Sequence, residues 1–138
     1  MNTKISILGC GWLGYPLGLH LHEKGFYVKG STTSPEKLLT ASQSGIEPFI
    51  IAFPRDIDSP EGRAFFECEV MVITIPPNLK LKPKNESLSC YIKKLMARLN
   101  KSGVSKVVYF SSTAVYGEAT GLVTETSPPN PTSERAAN

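Results

Sequence analysis

The residues best suited to chemistry fall in three short stretches, and the first is Gly9-Cys10-Gly11-Trp12-Leu13-Gly14. A lone G-x-G-x-x-G is weak evidence, but this one directly follows an apolar β run and opens a helix. Gly9 permits a tight turn, Gly11 lets backbone approach a pyrophosphate, and Gly14 lets the helix pack close to a sheet. The N–H groups of residues 9–14, Trp12 and Leu13 included, lie where a helix start leaves donors without helical partners. The helix dipole there favours an anion. The expected ligand is the diphosphate bridge of a nicotinamide dinucleotide; a glycine turn that holds nothing is the alternative.

The second stretch, Gly30-Ser31-Thr32-Thr33-Ser34, ends the next β run. An NAD site usually places Asp or Glu about 20 residues beyond the glycine loop, to bond the ribose 2′-OH. Here no acid appears until Glu36; Thr32, Thr33 and Ser34 lead into a helix whose first turn carries Lys37. Hydroxyls and a cation suit a 2′-phosphate better than a bare ribose, which favours NADP over NAD. The stretch has no Arg, and Ser34 also fits as the cap of its own helix. The third stretch, Phe110-Ser111-Ser112-Thr113-Ala114-Val115-Tyr116-Gly117, closes the fifth β run.

Strands must end, and helices begin, where these stretches lie. The β runs are Lys4–Leu8, Phe26–Ser31, Ile46–Ala52, Val70–Ile75 and Lys106–Phe110. Pro48 puts the third toward a sheet edge, and the unbroken apolar fourth reads as buried on both faces. A helix is predicted over Trp12–Lys24, with Leu13, Leu17 and Leu21 on one side and Gly25 as its stop. A second opens at Ser34-Pro35-Glu36, with Ser34 as cap, and runs to Gly45; a short one covers Ser59–Glu67. Leu88, Tyr91, Ile92, Leu95, Met96 and Leu99 keep helical spacing as far as Gly103. Such alternation predicts a three-layer α/β/α domain with a doubly wound, Rossmann-like parallel sheet in strand order 3-2-1-4-5. Ligands of such sheets bind at the carboxyl ends of the strands, near the switch point between strands 1 and 4.

The chain has 138 residues, 41% of them hydrophobic, with 15 Lys+Arg against 12 Asp+Glu for a net +3. That suits one domain over 1–138 and excludes a disordered tail. Cys10, Cys68 and Cys90 are too widely spaced for a disulfide framework or zinc site, and His20 and His22 point apart on a helix, so no metal is expected. The Lys80, Lys82, Lys84 group reads as a solvated loop, which leaves nucleic-acid binding with little support. No apolar run is long enough to span a membrane and no signal peptide is evident, so the expected location is the cytoplasm.

The glycine loop and the third stretch together resemble the extended and atypical short-chain dehydrogenase/reductases, specifically nucleoside-diphosphate-sugar epimerase/dehydratase relatives. In that family a strand ending S-S-x-x-V-Y-G carries the catalytic Ser/Thr, which matches Ser112, with Thr113 its neighbour and Ser111 and Tyr116 beside the cofactor. The hydroxyl bonds the substrate oxygen during hydride transfer. Ile73-Thr74-Ile75-Pro76-Pro77 falls at the family's cofactor-lining loop after strand four, and Glu125 to Pro131 is similar to its E-x-x-P-x-x-P lead-in to the catalytic helix. The resemblance covers the whole chain.

The chain also departs from the family pattern. Leu8 stands where most extended members have their first glycine. Arg135 occupies the position of the family's catalytic Tyr, and the paired Lys would fall one residue beyond Asn138. An Arg cannot serve as a general base, a role worth about 10²–10⁴-fold in rate; it can hold a phosphate or polarise a carbonyl. Ser133–Asn138 reads as the start of a helix cut short, whereas family members run to about twice this length with a C-terminal substrate lobe. The expectation is therefore an N-terminal fragment or truncated product, with an uncovered sheet face and edge near strand five that favours a homodimer. Three readings follow. One is the NAD(P)-binding domain of an oxidoreductase or sugar-nucleotide epimerase/dehydratase relative, incomplete or inactive alone. Another is a dinucleotide-sensing module without catalysis. The third is an atypical reductase that pairs Ser112 with another acid such as Tyr116.

Overall fold

The computed structural model describes residues 2–75 and 88–132. Its elements are β1 (Lys4–Leu8), α1 (Gly14–Glu23), β2 (Tyr27–Thr32), α2 (Lys37–Gln43), β3 (Glu47–Ile50), α3 (Pro60–Phe65), β4 (Val70–Ile73), α4 (Leu88–Leu99) and β5 (Lys106–Tyr109), then a 3-10 turn over Thr113–Tyr116. All neighbouring strands pair in parallel, in the expected order β3-β2-β1-β4-β5. Because parallel neighbours require crossovers, helices cover both faces.

The period-two alternation of β1 divides the core in two. Ile5 and Ile7 join Val28, Val72, Ala41 and Ile46 on the side where the leucines of α1 pack. Leu8 points the other way and joins Met71, Ile73, Phe65, Phe66, Tyr91, Leu95 and Leu99. Each large side chain so buried contributes roughly 1.5–3 kcal/mol.

Several boundaries differ from expectation. The first helix begins at Gly14, leaving Trp12 and Leu13 in the turn that precedes it. The second begins at Lys37, and Ser34 does not cap it: the Ser34 N–H donates to Thr32 Oγ1 at 3.1 Å, and the Ser34 carbonyl accepts from Lys37 N–H at 3.1 Å. A turn made by Thr32 thus takes the place of a capped helix start. Ser59 is a true cap, accepting from Gly62 N–H at 2.9 Å, with Pro60 opening α3. In α4 only Tyr91, Leu95 and Leu99 form the inner stripe, while Ile92 and Met96 turn outward. All four residues of β5 are exposed, since this edge strand pairs with β4 alone. Pro76, Pro77, the Lys80–Lys84 group and Ser133–Asn138, including Arg135, lie outside the described residues.

The buried polar residues of the sheet have a specific task. Ser6 of β1 and Lys29 of β2 are register partners, 0% and 7% exposed. Ser6 Oγ donates to Phe65 O at 2.6 Å, and Lys29 Nζ donates to Ala64 O at 2.6 Å and Glu67 O at 3.1 Å. These carbonyls belong to the last turn of α3 and its exit, where acceptors lack helical partners and a cation is favoured. The ammonium also sits 5.7 Å from the Phe49 ring centroid. Lys29→Met fills the same space but removes the ammonium's bonds to both carbonyls, and should lower unfolding stability by about 1–3 kcal/mol in urea titration. An unchanged midpoint would show that the ammonium does not anchor α3.

Candidate functional site

The passage from β1 to α1 is tightly constrained at both its ends. Gly9 has φ +107°, and a β-carbon there would come within 2.7 Å of Ile75 Cγ2. A β-carbon on Gly14 would strike the Gly9 carbonyl and approach Thr74 Oγ1 to 3.0 Å. At Gly11, by contrast, a β-carbon would meet nothing within 4 Å. Two glycines close the turn, and the one between them faces open space.

The amides of this turn divide in two, which narrows the expectation for residues 9–14. Gly9 N–H donates to Ser31 Oγ at 2.9 Å, Cys10 N–H to Ser31 O at 2.7 Å, and Gly11 N–H to Gly9 O at 2.8 Å. Those three are occupied by the protein itself. The amides of Trp12, Leu13 and Gly14 make no hydrogen bond to any described residue. Donors for an anion therefore come from residues 12–14, at the mouth of α1.

These residues lie along a crevice across the carboxyl ends of the strands. One arm, of about 350 Å³, is lined by Trp12, Leu13, Gly14, Thr74, Ser111 and Ser112 among others. The other, of about 560 Å³, runs past Thr32, Thr33, Ser34, Lys37 and Arg55. Gly9, Gly11 and Ile75 line both arms. The crevice thus gathers most of the residues singled out from sequence. Thr113 and Tyr116 line neither arm and sit in the 3-10 turn, which Ser112 caps by accepting from Ala114 N–H at 3.2 Å.

Sequence reasoning missed Arg55, and it placed Ser31 and Thr74 within site stretches without seeing that they hold the β1–α1 turn. Arg55 follows β3, and the parallel pairing of β2 with β3 brings it beside the end of β2. Its guanidinium donates to both carboxylate oxygens of Asp56, at 2.7 and 3.0 Å. That pairing, with the Ala52 N–H, holds the Asp56 carboxyl below the usual carboxylate range. The signal was available, because residues just past any strand of a parallel sheet reach the ligand side. Ser31 and Thr74 act through hydrogen bonds across the sheet, which no local motif announces.

Two further features limit what the site can do. Burial pushes the Cys10 thiol up to about 11, so it remains protonated at neutral pH and is no thiolate nucleophile. Among the described residues, no group of three His, Cys, Asp or Glu could hold a metal ion. Gly11→Ala should therefore leave thermal unfolding within about 0.5 kcal/mol of the parent, whereas Gly14→Ala should cost about 1–3 kcal/mol by overpacking. Equal effects at both positions would contradict the geometry of the turn.

No family model matches the chain. Protein YeeZ of Escherichia coli K12 is 33% identical over 130 residues, which cover 93% of this chain and 47% of that protein. The chain thus spans about half the length of the curated relatives it matches. A functionally unknown conserved protein from Silicibacter pomeroyi superposes with TM-score 0.67 at 26% identity, covering 99% of this chain and 44% of that one. MoeE5, solved in complex with UDP-glucose and NAD, gives 0.68 at 21% identity over 97% of this chain and 44% of its own. UDP-glucuronic acid 4-epimerase from Bacillus cereus, solved with NAD, gives 0.66 at 18% identity over 97% and 48%. These likenesses, with the strand order, establish a Rossmann-like α/β fold.

Proposed function

We propose that this domain binds a nicotinamide dinucleotide and serves as the cofactor-binding part of an oxidoreductase or nucleoside-diphosphate-sugar epimerase/dehydratase relative. The observation that carries this reading is the set of unbonded amides at Trp12, Leu13 and Gly14 beside the open space at Gly11. A diphosphate would accept from those donors, and among the described residues nothing lies within 4 Å of where a Gly11 β-carbon would stand. The nicotinamide supplies the hydride chemistry when bound. The chain's own part is to hold the diphosphate, to seat the nucleoside ends in the two arms of the crevice, and to offer the exposed Ser112 hydroxyl to a substrate oxygen.

Within this reading the cofactor is NADP rather than NAD. Support comes from Lys37 and Arg55, which line the larger arm with Thr33 and Ser34; among the described residues its lining contains no Asp or Glu. Catalytic roles for Ser112, Thr113 and Arg135, cofactor contacts from Ser111, Tyr116, Pro76 and Pro77, and a substrate-selecting lobe outside this domain belong to the same proposal. MoeE5, with its UDP-glucose, supports a sugar nucleotide as the substrate class. A dinucleotide-sensing module without catalysis is the second reading, favoured by Arg135 where the resembled family has tyrosine.

Trp12, 90% exposed and lining the smaller arm, provides the test. Its emission should change on titration with dinucleotide, with NADP+ binding tighter than NAD+. Lys37→Ala and Arg55→Ala should each weaken NADP+ about tenfold or more and leave NAD+ little affected. No response to either dinucleotide would refute the assignment; equal losses for both would refute the NADP preference. A hydride-transfer assay with UDP-sugars then separates catalysis from sensing.

Self-association through β5 completes the proposal. Val107 and Tyr109 on one face, and Val108 with Phe110 just past the strand on the other, are exposed apolar residues at this edge. Sedimentation equilibrium should find a dimer that Val108→Lys dissociates, and a monomeric parent protein would exclude it.

A further inference from the structure

We infer that Ser31 and Thr74 are positioning residues that hold the β1–α1 turn in its anion-binding form, an inference that rests on the dinucleotide reading above. The two hydroxyl residues grip consecutive peptide units from opposite sides. On the β2 side, Ser31 accepts the Gly9 N–H through its Oγ and the Cys10 N–H through its carbonyl, at 2.9 and 2.7 Å. On the β4 side, the Leu8 carbonyl accepts from Thr74 N–H at 3.0 Å and lies 3.3 Å from Thr74 Oγ1. The Gly9 carbonyl accepts from Thr74 Oγ1 at 2.5 Å and from Gly11 N–H at 2.8 Å.

The grip answers a problem that glycine creates. Gly9 is needed because φ is +107°, yet a glycine-flanked peptide is also the easiest kind to reorient. Were the Gly9–Cys10 peptide to turn over, its carbonyl oxygen would point toward the crevice and repel a diphosphate. With the Gly9 carbonyl drawn to the Thr74 hydroxyl, the Gly9 amide to the Ser31 hydroxyl and the Cys10 amide to the Ser31 carbonyl, both peptides are held and that oxygen is kept on the β4 side. Only the donors of residues 12–14 then remain available. Ser31 is 2% exposed and Thr74 part-buried, so water competes little for either bond. The site is arranged before any ligand arrives, which lowers the ordering cost of binding.

The experiment compares Thr74→Val, which keeps the shape and removes the hydroxyl, with Thr74→Ser, which keeps the hydroxyl, and with Ser31→Ala. Each is titrated with NADP+, NAD+ and ADP by Trp12 emission, and its thermal unfolding is followed without ligand. Thr74→Val and Ser31→Ala should each weaken all three diphosphates about tenfold, and Thr74→Ser should recover most of the parent affinity. Parent-like affinity in Thr74→Val and Ser31→Ala overturns the inference and leaves the dinucleotide reading intact. Equal losses in Thr74→Val and Thr74→Ser also overturn it, since shape rather than the hydroxyl would then matter. A parent protein that binds none of the three ligands overturns the dinucleotide reading, and this inference with it.

Discussion

Everything at the ligand side of this domain depends on Gly14 resting against the carbonyl of Gly9. The chain must leave a central strand, reverse and enter a helix within residues 9–13, while keeping that helix close to the sheet. Any side chain at residue 14 would separate the two, because its first carbon already collides with backbone. The close approach has a chemical result: α1 starts directly over the crevice, with its first donors unbonded by any described residue. It also has a mechanical one. Gly18, a turn later, meets Ile46 and Ile7 so closely that a β-carbon would lie 2.9 and 3.3 Å from their Cδ1 atoms, so α1 comes close to the sheet at two glycines.

The strand order, the edge position of β3 and the extents of β1 and α4 were legible in the sequence, because each is encoded locally. Lys4–Leu8 is an apolar run stopped by glycine, and the 88–99 segment carries an uninterrupted helical period. The readings failed where one residue could serve two structures. Ser34-Pro35-Glu36 has the composition of a capped helix start, yet Thr32 takes the Ser34 amide and delays α2 to Lys37. Ile92 and Met96 sit at core spacing, but no described element covers them.

The site was legible in its glycines and hydroxyls and illegible in its long-range partners. Thr74 reaches the turn from 65 residues away and Ser31 from 22, distances at which a single sequence carries no pairing signal. Arg55 was hidden for a similar reason: it belongs to the segment after β3 in the chain, and to the end of β2 in space. Counting donors by position likewise overstated the anion site, since the amides of Gly9, Cys10 and Gly11 serve the turn's own architecture.

The buried ammonium of Lys29 has a reach beyond the helix it tethers. Residues 51–55, which wall the larger arm of the crevice, run directly into the segment that leads to α3. A β-carbon on Gly62 of α3 would collide with the carbonyls of Asp56 and Ile57, so helix and wall are packed as one piece. Lys29 grips the far end of that same piece, through the carbonyls of Ala64 and Glu67. Loosening at residue 29 would therefore be felt in a piece that also carries part of the groove's wall.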